Sequence, residues 1–134
     1  VVGLDFSARF IAAAVALQQA SIKRYVVKDE GEPVSHKEIR LAQLGLEAVA
    51  ERCQFMQGDA CNLNEKYSGY DLIFAGNLID RRYSPKQFLC MVHERMNPGG
   101  LLILSSPYTW LEEYTKREEW LGGYKDSSGE TSPR

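Results

Sequence analysis

The 134-residue chain carries 16 Lys and Arg against 18 Asp and Glu, a formal charge of -2, and 44% of its residues are hydrophobic. That balance describes one globular domain and argues against a surface whose affinity comes from nucleic-acid phosphates or anionic lipid. No apolar run approaches the roughly 20 residues of a membrane span, and no basic segment precedes the apolar opening at Val1. Neither a span nor a signal peptide is therefore expected, and the chain reads as cytoplasmic, with a small-molecule or protein partner.

In chain order, Val1 to Asp5 reads as a short strand, and Ser7 as the N-cap of a helix over the alanine-rich stretch Ala8 to Gln19. Arg24 to Lys28 has strand character. Arg24 to Pro33 reads as a charged excursion, a β-hairpin turning at Asp29-Glu-Gly or a surface loop. Ser35 and Glu38 form a capping box that predicts a helix through Ile39, Leu41 and Leu44, ended by Gly45. Cys53 to Gln57 predicts a strand stopped by Gly58-Asp59, and Tyr70 to Ala75 a buried strand stopped by Gly76-Asn77. Ser84-Pro85 opens a helix with Phe88, Leu89, Val92 and Met96 on one face and His93 within it. Asn97-Pro-Gly-Gly100 closes that helix before the apolar strand Leu101 to Ser105. Strands alternating with helices at this period predict an open, mostly parallel α/β sheet with function at the carboxyl ends of its strands.

The three cysteines, Cys53, Cys61 and Cys90, contain no Cys-x-x-Cys pair, and His36 and His93 lie far from them in sequence. Zinc and disulfide frameworks are poor readings of that set, so no metal is expected. Cys53 and Cys90 are expected to be buried free thiols.

The strand ends carry Asp5, Asp59, Asn77 and Ser106. Singly, each is explained by an Asx turn, a cap or a left-handed turn residue. As four successive strand ends they resemble a nucleotide crevice, where one acid accepts ribose hydroxyls and another an adenine amino proton.

These residues resemble the class I S-adenosylmethionine-dependent methyltransferases from Val1 to about Leu121. The motifs are Val-Gly-Leu-Asp-Phe-Ser (2 to 7), Gln-Gly-Asp-Ala-Cys (57 to 61), Tyr-Asp-Leu-Ile-Phe-Ala-Gly-Asn-Leu-Ile-Asp (70 to 80) and Met-Asn-Pro-Gly-Gly followed by an apolar strand (96 to 105). A narrower resemblance, to the C-terminal methyltransferase domain of ovothiol synthases, rests on three segments. They are Gly-Asn-Leu-Ile-Asp-Arg (76 to 81), Ser-Pro-Tyr-Thr-Trp-Leu-Glu-Glu-Tyr-Thr (106 to 115) and Glu-Trp-Leu-Gly-Gly (119 to 123).

The resemblance implies a Rossmann-like class I methyltransferase fold, S-adenosylmethionine as cofactor, and methyl transfer to an imidazole nitrogen of 4-mercaptohistidine. It also implies an upstream iron-dependent sulfoxide synthase domain in the same polypeptide. Asp5 would hold the ribose hydroxyls, Phe6 would flank the adenine, and Asp59 with the backbone of Ala60 and Cys61 would read the adenine edge. On the acceptor side, Asn77 would orient donor or acceptor, Asp80 would hold the substrate amino group, and Tyr108 and Trp110 would stack on the imidazole. Asp80-Arg81-Arg82 reads otherwise as an exposed charged turn, and the aromatics as a hydrophobic lid or interdomain surface. Because the methyl donor arrives activated, neither a catalytic metal nor a covalent nucleophile is needed.

Against that family pattern, the chain is expected to be a fragment. Residues 1–124 would be a partial methyltransferase domain lacking the first strand, its glycine-rich loop and the last strands, and residues 125–134 a polar loop or tail. By family topology the missing first strand would open the centre of the sheet, so the isolated chain is expected to fold poorly and bind cofactor weakly. Three alternatives accompany this reading: a methyltransferase for another small molecule, a non-catalytic cofactor-binding or docking module, and an NAD-dependent oxidoreductase.

Overall fold

The computed structural model describes residues 1–125 and 127–131. Two compact units divide the chain, Val1–Asp59 and Ala60–Arg134. The architecture is mixed α/β, built on two-stranded ladders rather than the continuous sheet expected from the pattern.

In the first unit, strand β1 (Val2–Asp5) leads into helix α1 (Ala8–Ala20). Ser7 caps α1 as expected: its backbone is extended and its hydroxyl accepts from Phe10 N–H. Ser21 ends the helix in the left-handed region (φ 56°), with its N–H on Leu17 O. β1 pairs in parallel with β4 (Gln54–Gln57), aligning Gly3 with Phe55 and Asp5 with Gln57. The Phe55 ring lies over Gly3 so closely that an added Cβ would sit 2.8 Å from it, so glycine is required there. Gln18 ties α1 to the turn before β4, donating through Nε2 to Ala50 O at 2.6 Å and Cys53 O at 2.7 Å.

The helix expected from the Ser35 and Glu38 capping box does not form. Residues Val34–Arg40 are instead strand β3, paired antiparallel along its whole length with β2 (Ile22–Lys28). Glu38 is where the two outcomes diverge. As a strand residue it accepts from Arg24 Nε at 2.9 Å across the ladder and from Arg40 Nε at 2.6 Å two residues along its own strand, an arrangement that a helix does not supply. Those contacts, the Arg24 bond first, hold its carboxyl below the ordinary value despite some desolvation. The hairpin alternative for the charged excursion is thus the observed one. Asp29 N–H bonds Pro33 O, and the Ser35 hydroxyl donates to the Asp29 carboxylate across the turn. Gly45 ends a short 3-10 turn, Ala42–Leu44, at φ 69°.

In the second unit, β5 (Tyr70–Gly76) pairs in parallel with β6 (Met96–Ser105), and helix α2 (Pro85–Val92) joins them with Pro at its first turn. The core gathers Cys61, Ala75, Phe88 and Val92, with Ile73, Leu78, Leu89 and Leu102 packed around them. α2 ends at Val92, so His93 opens a 3-10 turn rather than sitting within the helix. Asn97 to Gly100 do not separate helix from strand; they lie inside β6 as a register shift opposite Tyr70 to Leu72. Asn97 anchors that irregularity through Nδ2, which donates to Gly69 O at 3.0 Å and Asp71 Oδ1 at 2.8 Å.

Two cysteine expectations are corrected. Cys90 is exposed and Cys53 intermediate, whereas Cys61 is fully buried. Of the expected polar tail, Lys125 and Thr131 form an isolated antiparallel bridge, while Asp126 and residues 132–134 lie outside the described residues. No helix among the described residues is long and apolar enough to cross a membrane.

Candidate functional site

Candidate residues occur in both units. In the first, β1 delivers Asp5 to its carboxyl end with the side chain exposed. Its Oδ1 accepts from Ser7 N–H at 2.7 Å, an Asx turn that fixes the carboxylate against the start of α1. An ionised carboxylate has about four acceptor positions, so Oδ2 remains available to a hydroxyl pair. Phe6 follows with 63% of its surface exposed, and Gln57 Nε2 donates to Phe6 O at 2.9 Å. Asp59, two residues beyond β4, is half-buried.

In the second unit, Ala60 is half-buried and Cys61 is enclosed. The Cys61 thiol donates to Ser84 O at 3.4 Å inside the core, so the side chain packs there, while the adenine contact expected of this residue is one of its backbone.

The ends of β5 and β6 carry a dense polar network. Asn77, directly after β5, has φ 50°, and its N–H bonds Ser105 O at 2.8 Å with Ser105 Oγ at 3.2 Å. Asparagine tolerates that left-handed backbone, as the sequence allowed. Tyr108 has φ 53° with 54% of its surface exposed. For a bulky aromatic this conformation is a genuine outlier, costing about 1 to 3 kcal/mol unless its surroundings impose it.

Asp80 imposes it. The residue is wholly buried rather than part of an exposed turn, so it is not presented to a substrate amino group as expected. Its Oδ1 accepts from Ser106 Oγ at 2.9 Å, and its Oδ2 from Thr109 N–H at 3.2 Å and Thr109 Oγ1 at 3.1 Å. Ser106 Oγ in turn accepts from Tyr108 N–H at 3.0 Å. Tyr108 is therefore held between two residues pinned to one carboxylate. Burial pushes the Asp80 carboxyl up, but the hydrogen bonds from Ser106 and Thr109 outweigh it and leave the group below its ordinary value.

Trp110 has a ring partner within its own unit. It stacks on Trp120 with centroids 6.2 Å apart and planes 17° apart, and Trp120 Nε1 donates to Thr115 O at 2.8 Å. Sequence reasoning missed Arg81 and Thr109 as members of the network. Arg81 stood out only as charge in a turn, and nothing local links it to a threonine in the distant Ser-Pro-Tyr-Thr motif. Among the described residues, no group of three or more His, Cys, Asp or Glu side chains is placed to hold a metal ion.

Against known proteins, no family model matches the chain and no curated protein matches it.

Proposed function

We propose that the chain is an S-adenosylmethionine-dependent N-methyltransferase domain with a Rossmann-like fold. Its acceptor in this reading is an imidazole nitrogen of 4-mercaptohistidine. The observation that carries the cofactor half is Asp5, an exposed carboxylate at the end of a parallel strand, braced by Ser7 and followed at once by a capped helix. The donor set suits an adenosyl group: Asp5 has a free oxygen for the ribose hydroxyls, and Phe6 offers an exposed ring for the adenine. Asp59 and Ala60 are assigned to the adenine edge. The mercaptohistidine acceptor rests on the motif resemblance alone, as does an upstream sulfoxide synthase domain.

S-adenosylmethionine, when bound, supplies a methyl group already activated for transfer. The protein's part is orientation and exclusion of water. Asn77, fixed by Ser105, offers its amide to orient the acceptor, and Tyr108, fixed through Ser106, offers a phenol at the neighbouring strand end. Asp80 acts through Ser106 on Tyr108 as a positioning residue.

The cofactor half is tested by calorimetry on the full natural polypeptide carrying these residues, titrated in parallel with S-adenosylmethionine and NAD. Binding of the first alone, weakened at least about ten-fold by Asp5→Ala, supports the reading, since losing a hydrogen-bonded charge at a ligand hydroxyl is worth about 1.5–3 kcal/mol. Binding of NAD alone would move the chain to the oxidoreductases.

A further inference from the structure

Arg81 closes the 3-10 turn Ile79–Arg81 that follows β5. Its guanidinium lies 5.0 Å over the Tyr114 ring. Nη1 donates to Thr109 O at 3.4 Å and Nη2 to Thr109 Oγ1 at 3.2 Å, both neutral acceptors and both at the long end of the hydrogen-bond range. The neighbouring acid makes no direct ion pair with it, since the Asp80 oxygens are turned to Ser106 and Thr109. Thr109 Oγ1 gives its single proton to Asp80 and receives from Arg81, so the two charges are linked through a hydroxyl rather than paired directly.

This arrangement leaves a fixed, half-buried cation at the same strand ends that carry Asn77 and the exposed Tyr108. A guanidinium has five N–H donors in a planar fork suited to a carboxylate. Two of them are taken, by a residue that does not cancel the charge. The Tyr114 ring lies against the guanidinium as a cation–π partner, which uses none of its N–H donors.

We propose that Arg81 is the carboxylate anchor of the acceptor site and restricts it to α-amino acids. This rests on the reading above that the acceptor is histidine-derived, and it replaces the expected hold on the amino group by Asp80 with a hold on the opposite end of the same molecule. An imidazole amine without the carboxylate would be a poor substrate.

The test uses L-histidine and histamine as probes in side-chain NMR of the full natural polypeptide labelled at arginine, with the Arg81 resonance assigned by Arg81→Gln. The Arg81 Nε–H signal shifts with histidine and not with histamine. An equal response to both, or to neither, overturns the anchor. In the activity arm, Arg81→Gln raises KM for 4-mercaptohistidine about 10- to 100-fold, the scale of one charge-assisted hydrogen-bonded pair. kcat stays within about two-fold when uniform binding is what is lost. Arg81→Lys recovers part of the loss. Thr109→Val keeps the cation and removes the hydroxyl bridge; a KM loss as large as that of Arg81→Gln would show that Arg81 is only a loop staple. The two readings fail separately. If the wild-type protein makes no methylated product while Arg81 still answers histidine, the anchor stands and the methyltransferase reading falls. If product forms and Arg81→Gln leaves KM unchanged, the anchor falls alone.

Discussion

Ser106 donates its hydroxyl to Asp80 Oδ1 at 2.9 Å, tying the loop after β6 to the turn after β5 across 26 residues of sequence. The bond is charge-assisted and partly buried, which makes it stronger than a neutral pair and costly to break on one side. Through it the conformation of Tyr108 depends on a carboxylate that never reaches the surface.

Replacing Asp80 with Asn therefore destabilises this unit by about 1 to 3 kcal/mol, because the added amide NH2 faces donors from Ser106 and Thr109. The pH dependence has a definite sign. The folded carboxyl lies below its ordinary value, so its stabilisation is complete above about pH 4 and is lost as pH falls through the folded pKa. Thermal melts from pH 7 down to pH 3 should show that acid-induced loss in the wild-type protein and a reduced loss in Asp80→Asn. Parallel curves would contradict the assignment.

Tyr108 carries left-handed strain that glycine does not feel. Tyr108→Gly is expected to leave the melting temperature unchanged or raise it, with a gain of up to about 1 kcal/mol offset by lost side-chain contacts. Methyl transfer falls in the same variant. A large loss of stability would mean that the ring packs into the fold rather than facing a ligand. Asn77→Val puts a β-branched residue at φ 50° and should cost about 1 to 2 kcal/mol, while Asn77→Gly is near neutral.

One face of the β5–β6 ladder is apolar and uncovered. Leu72 is aligned with Leu101 and Phe74 with Ile103, and they retain 54%, 58%, 66% and 42% of their surface respectively. Register partners in a parallel pair project to the same side, so these four form one patch. The chain is expected to bind the dye ANS and to associate at high concentration. Phe74→Thr with Ile103→Thr should reduce both without lowering the melting temperature, since neither side chain is buried. Unchanged dye binding in that variant would place the sticky surface elsewhere.

Thiol chemistry separates the three cysteines. Cys90 should react within the dead time of a disulfide reagent under native conditions, and Cys53 more slowly. Cys61, enclosed beside Ser84, Phe88 and Val92, should react only on unfolding. Early labelling of Cys61 in the folded protein would contradict its enclosure in the core.

Local signals were legible where local physics decides. Ser7 before an alanine-rich run gave the start of α1, the Tyr70 run gave β5, and Pro85 gave the first turn of α2. Ser35 and Glu38 misled because a capping box is a local preference, while the paired alternative recruits Arg24 from another strand. Asn97 to Gly100 read as a break, yet a parallel ladder absorbs them as a register shift. Burial was least legible. Nothing in the sequence separates Cys61 from Cys90, and the burial of Asp80 becomes intelligible only once Ser106 and Thr109 are brought to it.

The central claim is best tested by mass spectrometry on the full natural polypeptide incubated with S-adenosylmethionine and 4-mercaptohistidine, with histidine as the control acceptor. A one-methyl mass gain is expected on the thiol-bearing substrate and none on histidine, abolished or strongly reduced by Asp5→Ala. No gain on either acceptor, with the protein folded and the cofactor bound, would contradict it.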